Sequence, residues 1–358
     1  MKQRLLDQFL ATLNQLPEVQ ARLDPPIHVD GPVRGHDTLV ELRVNGKTAT
    51  LLIDVKKVLY PRDVRQALWQ FQEFSRKCLQ SSEGRKPVSF LVARSISPGA
   101  KDLLRDERVG YYDSGGSLFL PAPDIYVFLD KPPPKNLSKS IKSLFLGRRA
   151  QVLHMLLMRH GEWLGVKETA AQARVSSATA SQVLTRLERL DWVVSRGRGP
   201  TKERHLRNPG ALLDEWAKQL AVLRPIALRH YFVPSLSAEG LIQKFTQACT
   251  ANRAEYAITH EAAGQRYAPY LSAVSQVRCR LMLGAPADGV LAALNARIGD
   301  EGANLVVIDV KSSGELLFRD LVDGIWLASP VQVYLDLMLG EGRAQEMAKH
   351  LRQERIEF

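Results

Sequence analysis

Apolar residues at the start of the chain recur at helical spacing. Leu5, Leu6, Phe9, Leu13 and Leu16 form one stripe and predict a helix over residues 2–23. Two runs of alternating apolar and polar positions follow, 38–44 and 47–57, with Asn45-Gly46 between them. Asn-Gly in that setting predicts a β-hairpin, because a type I′ turn needs positive φ at both central residues. If Val44 pairs with Lys47, opposed residue numbers sum to 91 and Asp37 faces Asp54. Parity then places Val40, Leu42, Val44, Leu51, Ile53 and Val55 on one face, and Asp37, Glu41, Thr50, Asp54 and Lys56 on the other. The amphipathic stretch PRDVRQALWQFQEF predicts the next helix, and VSFLVA (88–93) a buried strand. A helix near 98–106 and strands at 109–112 and 117–120, around Asp113-Ser114-Gly115-Gly116, complete an expected α/β sheet domain over 1–134.

Three consecutive prolines (132–134) interrupt this pattern, and the polar residues after them suggest a stiff, basic linker over 135–146. Helical spacing returns at 147–159, where Val152, Leu153, Leu156 and Leu157 are apolar, and again at 167–174. Ser176 is a good N-cap for a further helix that buries Ala180, Val183, Leu184, Leu187 and Leu190. Two helices joined by a three-residue turn are the helix-turn-helix arrangement. Trp192-Val193-Val194 then starts a strand, and SRGRGPTKERHLRNP supplies a Gly-Pro turn crowded with basic residues. This winged unit is expected over 147–210. A helix at 209–222 leads into a third module, 211–358, in which helix and strand alternate. There the pattern predicts a helix near 237–251, strands at 277–283 and 303–310, and short strand runs at 316–318 and 325–327. From Ser329 onward a terminal helix or helix pair turns Val333, Leu335, Met338, Met347 and Leu351 inward. The expected fold class is therefore multidomain α/β: a sheet domain, a winged helix-turn-helix and a C-terminal α+β domain.

Composition agrees with a folded chain of two or three domains: 358 residues, 45% apolar and 24% charged. Three cysteines without CxxC spacing exclude a disulfide scaffold and a cysteine-built zinc finger, and suit a reducing cytoplasm. No apolar run approaches the ~18 residues of a membrane span, and MKQRLLDQFLATLNQL is amphipathic rather than a signal peptide. The expectation is a cytoplasmic protein with no membrane partner. Lys and Arg number 49 against 38 Asp and Glu, a net +11 that favours an anionic partner, nucleic acid first. The excess is local. Residues 135–207 hold 15 basic and 5 acidic side chains, whereas 1–134 nets +3 and 208–358 nets −2.

That basic segment carries the candidate DNA contacts. The second helix would enter the major groove by its N-terminal end, presenting Ser176, Ser177, Thr179, Ser181, Gln182, Thr185 and Arg186. Short hydroxyls suit phosphates, while Gln and Arg can read base edges. The following hairpin offers Arg196, Arg198, Lys202, Arg204 and Arg207 to the backbone as a wing. DNA binding of this kind needs no cofactor. In 211–358 no metal cluster, catalytic triad or P-loop is present, and His260-Glu261 lacks the second histidine of HExxH. A structural or partner-binding role is expected there.

In 1–134 the candidate chemistry is Asp37, Asp54 and Lys56. Opposed Cβ atoms lie about 4.5–5.5 Å apart, so two carboxylates could share a Mg²⁺ ion beside the Lys56 ammonium. Surface strands routinely carry such charges, and D-x-K alone says little. Asp37 followed by Asp54-Val55-Lys56 resembles the PD-(D/E)xK nuclease-like (restriction-endonuclease-like) family, with Gln66 or Gln70 at the place of the family's glutamine-bearing helix. Residue 36 is His where that family has Pro, the middle acid is Asp rather than the commoner Glu, and Glu18 is the candidate for its additional acid on the first helix. The segment 147–210 resembles the winged helix-turn-helix regulators.

Taken together, LIDVKK with PRDVRQA, YYDSGGSLFL, the winged helix with LLDEWA after it, and SPVQVYLDLMLGEGRAQEMAKHLR resemble the antitoxin regulators of the type IV abortive-infection toxin–antitoxin class (AbiEi-like). The resemblance implies a sequence-specific, double-stranded-DNA-binding autorepressor with a cognate toxin and a nuclease-like scaffold domain. Palindromic half-sites would suit a homodimer. The alternative is a Mg²⁺-dependent DNA nuclease targeted by its winged helix, in which Asp37, Asp54, Lys56 and Gln66 are catalytic and Asp37 and Asp54 hold the metal.

Overall fold

A computed structural model describes residues 2–23, 38–44, 46–78, 87–122, 125–132, 134–222, 228–235, 237–299 and 301–358. The chain is a mixed α/β protein that divides into two compact units, Met1–Ile141 with Arg186–Asp191, and Lys142–Thr185 with Trp192–Phe358. The expected boundary near residue 210 separates no compact units, since residues 142–185 and 192–358 share the second.

The first unit is built on α1 (Lys2–Asn14), β1 (Val19–Leu23), β2 (Thr38–Val44), β3 (Lys47–Leu59), α2 (Pro61–Cys78), β4 (Val88–Ile96), α3 (Pro98–Asp106), β5 (Gly110–Asp113), β6 (Leu118–Ala122), β7 (Ile125–Leu129) and α4 (Lys135–Lys142). Its seven strands lie in sequence order, with β3, β4 and β5 parallel at the centre and antiparallel neighbours on either side. The hairpin has the expected register: Val44 pairs with Lys47, and pairing runs on to Thr38 with Ile53. Gly46 takes the left-handed φ of +75° that the turn requires. Asp37 and Asn45 lie outside the described residues, and so does the expected Asp37–Asp54 pairing. Leu5, Leu6, Phe9 and Leu13 of α1 bury one sheet face with Val40, Leu42, Leu51, Ile53 and Val55, and the Phe9 ring sits 4.8 Å from that of Phe90. Against the opposite face pack Val64, Ala67 and Phe71 of α2 and Ala100 and Leu104 of α3, around Leu52, Leu91 and Tyr111.

Two expectations for this unit need correction. The first helix stops at Asn14, well short of residue 23, because Pro17 cannot continue it. Asn14 then fixes the reversal by accepting the Ala21 N–H at 2.7 Å and donating to the Ala21 carbonyl at 3.2 Å. Glu18 accordingly sits in the turn before β1 with φ +59°, not on a helix. The supposed linker is also largely ordered. Its first eight residues form α4, which starts directly after Pro134 and is continued by a 3₁₀ turn at Ser143–Phe145. Proline ahead of a helix removes no intrahelical hydrogen bond.

The second unit opens with α5 (Gly147–Met158), β8 (Leu164–Gly165), α6 (Val166–Gln172), α7 (Ser177–Arg189), β9 (Val193–Arg196), β10 (Glu203–Leu206) and α8 (Pro209–Val222). The three short strands make a small antiparallel sheet in the order β8-β10-β9. The last residues of α7 and the turn after it, 186–191, cluster with the first unit. The remainder comprises β11 (Leu228–Phe232), α9 (Ala238–Ala251), β12 (Tyr256–Thr259), α10 (His260–Tyr267), β13 (Val277–Met282), α11 (Ala285–Ala293), β14 (Arg297–Ile298), β15 (Leu305–Val310), β16 (Asp320–Val322), β17 (Ile325–Leu327), α12 (Pro330–Met338) and α13 (Arg343–Leu351). A mixed sheet in the order β14-β11-β15-β13-β12-β17-β16 forms its core. Residues 316–318 are not a strand. Ser313–Leu316 is a 3₁₀ turn, and the edge hairpin is β16–β17, closed by Asp323 and Gly324 at φ +49° and +78°.

Candidate nucleic-acid interface

The turn between α6 and α7 is closed by backbone bonds. Val175 N–H donates to the Ala170 carbonyl at 2.9 Å, and Arg174 adopts a left-handed φ of +51°. Ser176 then caps α7: its Oγ accepts the Thr179 N–H at 3.2 Å and lies 2.9 Å from the Thr179 hydroxyl. Ala180, Val183, Leu184 and Leu187 are buried, which leaves Ser177, Gln182 and Thr185 exposed and Thr179 and Ser181 half-buried. Arg186 is half-buried as well, and donates to the Ser140 hydroxyl within the first unit.

In the connection between β9 and β10, Gly197 and Gly199 take φ values of +74° and +59°, and a Cβ on Gly197 would meet the Thr201 carbonyl oxygen at 2.7 Å. Glycine is therefore required at the turn. Arg196 donates to Glu203 across the hairpin at 2.7 Å, and its guanidinium lies 4.4 Å from the centre of the Trp163 ring, which stacks on His205. Sequence pattern does not assign Trp163 to this surface; an aromatic just before β8 is its only signal. Arg198 and Arg207 are exposed, and Lys202 is half-buried. Arg204 departs from expectation. It is 6% exposed and donates to the Lys202 carbonyl at 3.2 Å. Strand parity explains this, since Arg204 shares its face with the buried Leu206.

On β3 of the first unit, Asp54 and Lys56 stand on one face of the strand and form an ion pair at 2.8 Å. Gln66 is exposed on α2 and Gln70 half-buried. Asp37 lies outside the described residues. Among the described residues, no group of three or more His, Cys, Asp and Glu side chains could hold a metal ion. Asp54 is thus the one carboxylate of the expected metal pair that the structure describes, and its partner there is an ammonium.

The second unit also holds a buried polar network that the sequence did not single out. Asp336 of α12 accepts from Arg280 at 2.9 and 2.5 Å, from the Thr259 hydroxyl at 2.5 Å and from the Gln332 amide at 2.9 Å. Burial alone would raise the Asp336 pKa, but the charge and hydrogen bonds of Arg280 prevail and hold it below the usual carboxylate range. Ser329 caps α12 and lies 2.6 Å from His154 Nε2, so the network reaches α5. Burial pushes both His154 and His260 down to about 4, so both rings are neutral near pH 7. His260 holds a left-handed φ of +53° at the start of α10.

No helix among the described residues is long and apolar enough to cross a membrane. Comparison of the chain with protein-family models, curated proteins and solved structures finds no match.

Proposed function

We propose that the chain is a sequence-specific DNA-binding transcriptional regulator that uses α7 and the wing after it. One observation carries this reading. A capped helix exposes Ser177, Gln182 and Thr185, and a glycine-shaped hairpin bearing Arg198 and Lys202 follows it, within a segment of net +10. Such a helix would contact base edges through its first turns, while a basic hairpin holds the phosphates. The antitoxin-type autorepressor role, a cognate toxin and the AbiEi-like class rest on the sequence resemblance alone. Selection of duplexes from a random pool tests the reading. The full chain should enrich one sequence, and Gln182→Ala should relax preference at one or two positions, by about 1–3 kcal/mol for each base that Gln182 reads. Failure to enrich any sequence would retire it.

A Mg²⁺-dependent nuclease is the second reading, favoured by the adjacent Asp54 and Lys56 on β3 and by the order α-β-β-β-α-β in which β4 runs parallel to β3. Incubating plasmid and branched DNA with Mg²⁺ or Mn²⁺, wild type beside Asp54→Ala, separates the two. Metal-dependent cleavage abolished in Asp54→Ala would establish the second; its absence on every DNA form would remove it.

A further inference from the structure

A cavity of about 520 Å³ opens inside the second unit, within the roughly 300–1,000 Å³ typical of small-molecule sites. Its wall is assembled from α5, α8, α10, α12 and strands β11, β13 and β15. Phe145, Trp216, Leu228, Ile308 and Leu335 make much of it apolar, with the Phe145 and Trp216 rings 6.3 Å apart.

Among the described residues, two groups on this wall have bonding capacity left over. The Trp216 side chain is 5% exposed, and its indole N–H is buried with no acceptor among the described residues. Buried donors are nearly always satisfied, so an orphaned one on a cavity wall points to an absent acceptor. The second group is Arg278. Its Nε donates to Gln276 at 3.1 Å and its Nη1 lies 3.4 Å from His260 Nδ1, and among the described residues no carboxylate pairs with it. Arg280, also on the wall, is by contrast paired with Asp336 through Nε and Nη2. Glu315, the other acid lining the cavity, accepts the Lys311 N–H at 3.2 Å. Among the described residues, the wall therefore offers an apolar surface, an N–H without an acceptor and a half-buried cation without an anion.

We propose that this cavity binds a small aromatic carboxylate, and that filling it alters DNA binding by the winged helix. The second half rests on the DNA-binding reading; the first does not. The ring would lie against Trp216, Leu228 and Ile308, and the carboxylate would take hydrogen bonds from Arg278 and the indole N–H. Coupling has a physical route, because Gln151 and His154 of α5 share the wall with residues of the C-terminal sheet and α12. His154 is already tied to the cap of α12 through Ser329. A ligand wedged there touches both parts at once.

Calorimetric titration of the full chain with benzoate, salicylate and indole-3-acetate, and with the neutral benzamide and salicylamide, tests the site. At least one carboxylate should saturate with a Kd at or below about 1 mM. The matching amide, Arg278→Gln and Trp216→Phe should each weaken binding about tenfold. Ala150→Trp, which adds an indole on the α5 side of the wall, should abolish it. Circular dichroism identifies any variant that fails to fold, and the remaining variants then decide. Saturation by none of the three carboxylates, or wild-type affinity in all the folded variants, overturns the proposal. DNA affinity is then measured with and without the bound carboxylate. An unchanged affinity overturns the coupling while leaving the site intact. No DNA binding in either condition defeats the DNA-binding reading, on which the titration does not depend.

Discussion

Asp336 and Arg280 are 2% and 7% exposed, and each leaves the other a buried, uncompensated charge if it is removed. A buried ion pair contributes little net stability against an apolar pair, but breaking one side of it is expensive. Asp336→Ala should therefore cost about 3–5 kcal/mol in denaturant unfolding. It also strips acceptors from Thr259 and Gln332. The double variant Arg280→Met with Asp336→Leu should cost clearly less than Asp336→Ala alone. His154 gives a second expectation at this scale. The unfolded imidazole takes up its proton near pH 6.5, the buried one only near pH 4. Above pH 6.5 neither form is protonated and the group has no effect. As pH falls from 6.5 to 4, the unfolded chain alone gains the proton, so stability declines by an amount on the order of 3 kcal/mol and then levels off. Unfolding midpoints across that interval should show the decline, and His154→Gln should flatten part of it.

Among the elements, α7 depends on its cap. Ser176→Ala removes the acceptor for the Thr179 N–H and should cost about 0.5–2 kcal/mol, readable in a thermal unfolding midpoint. The cap, the α6-turn-α7 pair and the β2–β3 register are legible because each is a local signal: a hydroxyl before an apolar stripe, or Asn-Gly between alternating runs. The same kind of signal stands at Asp323-Gly324, which closes β16 to β17, and at Pro17, which ends α1. Arg204 was misplaced for a related reason. Its charge suggests a surface position, whereas the period-two relation to Leu206 decides that it faces inward. β7 and α4 gave weaker warnings, being five- and eight-residue elements beside prolines. The cavity could not have been found this way at all. Its wall draws on residues from 145 to 339, and only the packing of α5 and α8 against the C-terminal sheet brings them together.

For the whole molecule, the uneven charge yields the most decisive expectation. Residues 135–207 hold 15 basic against 5 acidic side chains, and the remaining 285 residues contribute a net +1. If DNA is held by the basic segment, each phosphate it neutralises releases condensed counterion, and log K falls linearly with log salt by about 0.9 per phosphate on duplex DNA. Arg198→Ala with Lys202→Ala should then weaken binding to every duplex and lower that slope by about 2. Gln182→Ala, which removes no charge, should leave the slope alone and change only which sequence is preferred. Asp54→Ala should alter neither, because its partner is Lys56 on the same strand of the first unit. Anisotropy titrations at several salt concentrations measure all four proteins together. A slope raised by Asp54→Ala, through the freed Lys56 ammonium, but untouched by the Arg198 and Lys202 pair would move the DNA-binding surface to the first unit. The β9–β10 hairpin would then be ruled out as the clamp, and β3 would become the strand to mutate next.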